Sequence, residues 1–534
     1  MFLCPLYFNF IPSPLLLIIL VAIYLLLLIK TGWVSEDTYI TFTPIENLVH
    51  GYGIVYNLGQ RVQVYTHPLW FFLQSALYAI TLRGFGIDYR SQLYVNSIGL
   101  NFLFSLLTFV LIIIVIARTN RSTVICAVAL LVSKAFIDFS TSGLENPLSH
   151  LIMGLFLYNV YVKNKGKIDS PRSYFIMVLI ACFGVLNRYD SVLFYFPVLF
   201  FLFIKYKHKK QLFVPGSSGL TPLLMYFLFS LLYFGFIMPN TYYAKIHHNY
   251  ALGTMIKKGM QYFAASFRLD MVSLFIIVVV IVYVIYCKKI IFYPVIAGIG
   301  LYCLYILRVG GDYMSGRFIS LPLFVAVFII ALSEFDQKSF YISLAGVLVM
   351  GMVLPTSPIT APIYYRENYP RDSYILDGRI TDNRARFQGF LEGIMYGFPS
   401  NRFTGMQWVA QPRYPREVIV AGSAGNDRYK LGPNVYLIDK NAIIDPLLAR
   451  LPVSRDECCW KPGHFTRQVP EGYVESVMWN DNRIQNKDLA AYYDILLIIT
   501  QGDIFSISRM EHIFHFNTGQ YNYLIDRYAE TLIE

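Results

Sequence analysis

Long uncharged apolar runs separated by short polar connections fill the first two thirds of this chain. They fall at about 8–29, 67–83, 91–117, 122–137, 144–162, 171–186, 190–206, 219–238, 270–287, 290–307, 317–334 and 339–354. A helix rises about 1.5 Å per residue, so some 20 such residues cross a hydrocarbon core of about 30 Å. The pattern predicts a polytopic α-helical membrane protein. Phe8 to Ile29 lacks the basic start and small-residue cleavage site of a secretory signal and reads as an uncleaved first span. The run 67–83 is short and opens on His67-Pro68, which suits a re-entrant or interfacial helix. That leaves about 11 spans.

The pattern changes near Leu354, where Pro355, Pro358, Pro362 and Pro370 mark a boundary. Beyond it, Arg416-Glu-Val-Ile-Val-Ala-Gly422 and Asn434-Val-Tyr-Leu-Ile-Asp439 are β-rich and bounded by turn residues, and predict strands. Tyr492-Tyr-Asp-Ile-Leu-Leu-Ile-Ile499 reads as a buried strand. The expected organisation is a membrane module over 1–354, with a first outer loop at 32–67, followed by a compact C-terminal α/β domain over 355–534.

Composition agrees with the pattern: 56% of residues are hydrophobic and 14% charged, against about 25% charged in soluble domains. The net charge of +11 sits in short loops, at Arg118 and Arg121, Lys163 to Lys167, Lys205 to Lys210 and Lys288-Lys289. That is the positive-inside signature and not a nucleic-acid groove. It places these loops and the N-terminus in the cytoplasm of a multi-pass plasma (inner) membrane protein, with the C-terminal domain extracytoplasmic. The seven cysteines show no metal-binding spacing. Cys458 and Cys459 are adjacent, so a bond between them would be strained. His247-His248 have no further ligand nearby in sequence and do not make a metal site.

This charge-based topology gathers the polar motifs on the outer face. They are Glu36-Asp37, Glu145, Arg188-Tyr-Asp190, Asn240 to Lys245, and Asp312 with Arg317. Carboxylates placed at a bilayer surface are expensive and point to chemistry. A carboxylate can deprotonate an acceptor hydroxyl, and cations can hold a departing phosphate. Asp37, with Glu36 beside it, is the candidate catalytic centre. Arg61, Arg188, Lys245 and Arg317 are the candidate phosphate ligands. Tyr65, His67, Trp70, Glu145, Asp190, Asn240, Asp312 and His464 complete the candidate substrate site. The competing readings are local: a helix cap for Asp37, an ion pair for Arg188 and Asp190, a turn for Asn240.

Taken in order, Glu36-Asp-Thr-Tyr-Ile40, Gly51-Tyr-Gly-Ile-Val-Tyr-Asn-Leu-Gly59, Tyr65-Thr-His-Pro-Leu-Trp70, Ser142-Gly-Leu-Glu-Asn-Pro147, Arg188-Tyr-Asp190, Pro239-Asn-Thr-Tyr-Tyr-Ala-Lys245 and Gly310-Gly-Asp312 form one series. The series resembles the GT-C glycosyltransferases, and most closely the branch containing the terminal β-(1→2) arabinofuranosyltransferase of mycobacterial cell walls. Gly432 to Asp439, Asp445 to Pro452 and Gly463-His-Phe-Thr-Arg467 resemble the outer domain of that branch. The resemblance implies a polyprenyl-phosphate sugar donor, a glycan or glycolipid acceptor outside the membrane, and a catalytic Asp in the first outer loop. The family usually has Asp-Asp where this chain has Glu36-Asp37, so the role transfers to Asp37. It tends to have Arg at the position of Thr43 and Glu at those of Gln60 and Gln63, which removes charge here. No cofactor is called for, though an Asp-containing site is compatible with a divalent metal. Two other classes fit the composition: a flippase for lipid-linked sugars, which needs ionisable residues deep in its spans, and a non-catalytic glycan-binding protein of envelope assembly.

Overall fold

A computed structural model describes residues 12–84, 91–246, 250–362, 375–376, 379–387, 389–396, 412–429, 431–454 and 460–532. His247-His248 and Cys458-Cys459 lie outside the described residues. The protein is mostly helical. Among the described residues, three helices are long and apolar enough to cross a membrane: Pro14–Thr31, Gln92–Ile116 and Ile290–Val309. Two further pairs qualify only together and are bent, Lys209–Gly219 with Thr221–Phe234 by 44° and Leu252–Leu269 with Met271–Tyr286 by 111°. Counting each pair as one span gives five. Other apolar runs fold as shorter helices, such as Asn120–Val132, Pro171–Asn187 and Ser320–Ala331. Seventeen residues rise about 25 Å, at the lower limit for crossing a hydrocarbon core of about 30 Å. The run opened by His67-Pro68 is a helix from Pro68 to Ala79, with Pro in its first turn, where a missing N–H does no harm.

Chain contacts divide the protein into two compact units. The first comprises Met1–Val34, Ser97–Leu220 and Met255–Gly397; the second comprises Ser35–Asn96, Thr221–Thr254 and Phe398–Glu534. The first unit is a helical assembly around an aliphatic and aromatic core that includes Phe109, Phe136, Phe156 and Phe324. In it a two-residue hairpin strand, Ile380–Thr381, pairs with Ile375–Leu376 and also meets the 310–317 loop. Thr381 N–H donates to the Tyr313 carbonyl at 2.7 Å, and Ser315 N–H donates to the Thr381 carbonyl at 3.0 Å.

The second unit contains the two expected strands, Glu417–Ala421 and Val435–Asp439, paired in parallel with Glu417 opposite Val435. Side chains alternate along Val435–Asp439. Tyr436 and Ile438 enter a core with Leu489, Tyr492 and Leu496. Leu437 faces the other way, toward Ile40, Tyr56 and Val64. Residues 492–499 are not a strand but lie within the helix Lys487–Gln501. Its buried residues Leu489, Tyr492, Tyr493, Leu496, Ile499 and Thr500 follow helical spacing. Asn486 caps it, accepting from Leu489 N–H at 3.0 Å.

Candidate functional site

Asp37 sits in the first turn of the Glu36–Val49 helix, whose cap position is Ser35 and not Asp37. Carboxylates there complement the exposed N–H groups of the helix start. Glu36 and Asp37 are both half-buried. Glu36 accepts a 2.5 Å hydrogen bond from the Ser423 hydroxyl, beyond the end of the Glu417–Ala421 strand. Gly425 packs directly over Glu36, where a side chain would collide with it. Glu36 is therefore committed to holding its own helix against the 423–425 segment.

The surroundings of Asp37 come from far along the chain. Lys461-Pro-Gly-His464 is a tight turn closed by His464 N–H on the Lys461 carbonyl at 2.9 Å. Gly463 occupies the left-handed region (φ 76°), as the third position of a Pro-Gly turn demands. A Cβ at Gly463 would stand 3.2 Å from Lys245 Nζ. The turn thus presents Lys461 and His464 while leaving room for Lys245. Burial pushes the His464 imidazole down to about 3; Lys461 and Lys245 push the same way, and Asp37 opposes them. His464 is accordingly neutral near pH 7. Its Nδ1 lies 3.2 Å from the Pro462 carbonyl, which can only accept. A proton on Nδ1 satisfies that carbonyl, and in that tautomer Nε2 is an acceptor. Asp37, His464, Lys245 and Lys461 make one electrostatic neighbourhood.

The remaining predicted residues of this unit lie largely in its packed interior. Arg61 donates to the Tyr233 carbonyl at 3.2 Å and to the Gly502 carbonyl. Asn240 spends its amide on the Ala442, Ile443 and Asp445 carbonyls at 2.9–3.1 Å and accepts from Arg450. His67 Nε2 lies 3.0 Å from the Thr41 hydroxyl, one turn beyond Asp37. Tyr65 stacks on Phe71 with centroids 4.1 Å apart, and Trp70 is fully buried. Thr43, Gln60 and Gln63 are interior residues as well. Gln60 accepts from the Tyr436 hydroxyl at 2.6 Å, Gln63 from Ser230 at 2.8 Å, and Thr43 donates to the Tyr39 carbonyl. Neutral side chains suit these buried positions.

A second cluster lies within the first unit, where several helix ends converge. Glu145 directly precedes the helix Asn146–Leu157, and Arg188 and Asp190 lie at the break between Pro171–Asn187 and Val192–Lys205. Asp312 and Arg317 lie on the loop between Tyr293–Val309 and Ser320–Ala331. Arg188 grips Asp190 with two bonds of 3.0 and 2.5 Å and Glu145 with one of 2.9 Å. Arg317 reaches Glu145 at 3.2 Å and Asp312 at 3.5 Å. The Tyr302 hydroxyl donates to Asp190 at 3.1 Å. Two guanidiniums and three carboxylates thus interlock in this cluster. The sequence reading named five of these residues but missed Tyr302, which lies inside a helix. In the other cluster it missed Lys461, although a Lys-Pro-Gly-His turn was there to be read. Among the described residues, no group of three or more His, Cys, Asp and Glu side chains is arranged to hold a metal ion.

No family model matches the chain, and no solved structure matches it significantly. Two curated proteins do. The chain is 26% identical over 243 residues to the terminal β-(1→2)-arabinofuranosyltransferase of Mycobacterium tuberculosis, covering 43% of this chain and 37% of that protein. It is 25% identical over 344 residues to the protein of the same name from Corynebacterium glutamicum, covering 55% of this chain and 46% of that one. The aligned part spans less than half the length of each relative. On sequence, the chain resembles the terminal β-(1→2)-arabinofuranosyltransferase branch of mycobacterial cell-wall enzymes.

Proposed function

We propose that the protein is a membrane glycosyltransferase of the GT-C type. It moves a sugar from a polyprenyl-phosphate donor to a glycan or glycolipid acceptor at the outer face of the plasma membrane. In this reading the apolar runs make about 11 spans, the N-terminus is cytoplasmic, and residues 355–534 form an extracytoplasmic domain. The observation that carries the proposal is the neighbourhood of His464: a neutral histidine that interacts electrostatically with Asp37, a carboxylate at a helix start, and with Lys245 and Lys461, Lys245 lying against the turn that bears it. The names of the two relatives support it and put arabinofuranose first among the sugars to test.

Asp37 acts as general base, taking the proton of the acceptor hydroxyl as that oxygen bonds to the anomeric carbon. The bond from the anomeric carbon to the phosphate oxygen breaks, and polyprenyl phosphate leaves with the electron pair. Lys245 and Lys461 stabilise the charge on the departing phosphate. His464 Nε2 accepts from a sugar hydroxyl and orients the ring. Arg61 is engaged by two main-chain carbonyls, and Arg188 and Arg317 by carboxylates of their own unit. The test is incubation of the purified protein with a panel of polyprenyl-phosphate sugars and envelope glycans, read by mass spectrometry. A product heavier by one sugar, with release of polyprenyl phosphate, is expected. Donor crossing vesicles unconsumed would replace the proposal with the flippase reading.

A further inference from the structure

Near the C-terminus three large apolar side chains stand almost wholly outside the fold. Phe505 is 80% exposed, Ile507 86% and Phe514 62%. The segment that bears them is held firmly. Arg509 is fully buried and spends its guanidinium on four main-chain carbonyls: Ile499 at 2.8 Å, Leu232 at 2.7 Å, Ile504 at 2.9 Å and Tyr233 at 3.0 Å. Arg61 adds a second clamp between Tyr233 and Gly502. Asn517 ties the far end of the Ile507–Asn517 helix to the Gly235 carbonyl at 2.9 Å. At Gly235 any side chain would strike Ile499.

Leu232, Tyr233 and Gly235 mark the C-terminal end of the Thr221–Phe234 helix, half of a bent candidate span. That helix shows its own apolar stripe, with Leu224, Met225 and Leu228 each half or more exposed. Two arginines therefore fix the 502–507 loop at the level where an apolar helix ends, which for a membrane-crossing helix is the lipid headgroup region. Loop and helix both expose apolar side chains, and Arg509 and Arg61 hold the loop at the helix end. Its charges exclude an electrostatic attachment: Asp503 and Glu511 are exposed, and the one arginine is buried.

We infer that Phe505, Ile507 and Phe514 form a membrane-interface anchor that beds the C-terminal helices into the bilayer beside the end of Thr221–Phe234. The inference rests on the membrane reading above. Phospholipid is the occupant favoured over a second copy of the chain because the patch adjoins a surface that already requires lipid. The attachment is apolar, so zwitterionic lipid suffices and salt does not weaken it.

The test uses the full chain in phosphatidylcholine nanodiscs with the photocrosslinker p-benzoylphenylalanine at position 505, 228 or 523. Leu228 reports the span itself. Tyr523, half exposed on the last helix, reports background. Lipid adducts at 505 and 228, their loss at 523, and yields unchanged between low and high salt are expected. Adducts at 228 with none at 505, or a protein–protein crosslink at 505, overturn the anchor while leaving the span reading intact. No adduct at 228 overturns the span reading and the anchor with it.

Discussion

Replacing Arg188 by Gln removes the central cation of a buried five-membered ionic cluster while keeping most of the side-chain volume. Four bonds disappear: two to Asp190, one to Glu145 and one, at 3.3 Å, to the Tyr302 hydroxyl. Glu145 keeps Arg317 at 3.2 Å, but Asp190 keeps only the Tyr302 hydroxyl among these partners. The cluster loses one positive charge. Breaking a buried pair by deleting one partner costs about 3–5 kcal/mol. At about 2–4 °C of melting temperature per kcal/mol, a fall of roughly 6–20 °C is expected. The assay is thermal unfolding of the detergent-purified protein at a fixed scan rate, followed by intrinsic tryptophan fluorescence. Arg188→Lys keeps the charge but not the two-pronged grip on Asp190, and falls between. Asp190→Asn in the Arg188→Gln background removes the stranded charge and recovers much of the loss. An Arg188→Gln protein that melts within a degree of wild type, or a double variant that melts lower still, would refute the claim that this cluster is a mutually satisfied ionic network.

Two further outcomes follow from the second unit. Gly463→Ala forces a side chain into a left-handed position and crowds Lys245, so donor KM rises several-fold, by about 1–2 kcal/mol of lost binding; an unchanged KM would detach Lys245 from the donor. Burial pushes the Asp445 carboxyl up to about 7, Asp439 adding to the rise, while Leu447 and Leu448 N–H and the Tyr473 hydroxyl oppose it. Its folded-state pKa lies above the unfolded value, so the stability it gives is full below about pH 4 and lost as pH rises through 7. Asp445→Asn mimics the protonated form and is therefore more stable than wild type at pH 8, by about 2–4 kcal/mol, with the gap closing toward pH 4. Equal melting shifts at both pH values would contradict this.

What could be read from the sequence follows how local each signal was. Glu417–Ala421 and Val435–Asp439 were legible because β-branched runs bounded by turns need no distant partner to be recognised. Lys487–Gln501 was misread because its apolar run from Ile495 to Ile499 masks the helical spacing of Leu489, Tyr492, Leu496 and Ile499. Asp37 stood out as a carboxylate just past the first apolar run. Its neighbours Lys245, Lys461 and His464 come from more than 200 residues away, and only tertiary packing brings them near. The same holds for Gln60, where the related family tends to have Glu. In the fold it is buried and bonded to Tyr436, a partner 376 residues away.

The central claim is that Asp37 is the general base of a sugar transfer. Asp37→Asn preserves shape and removes the base, and its effect is measured as transfer rate from the best polyprenyl-phosphate sugar, with melting temperature as the check on folding. The account predicts a loss of about 10²–10⁴-fold in kcat with unaltered melting, while Glu36→Gln retains most activity and loses stability. Near wild-type transfer by Asp37→Asn, in a protein that melts normally, would contradict it.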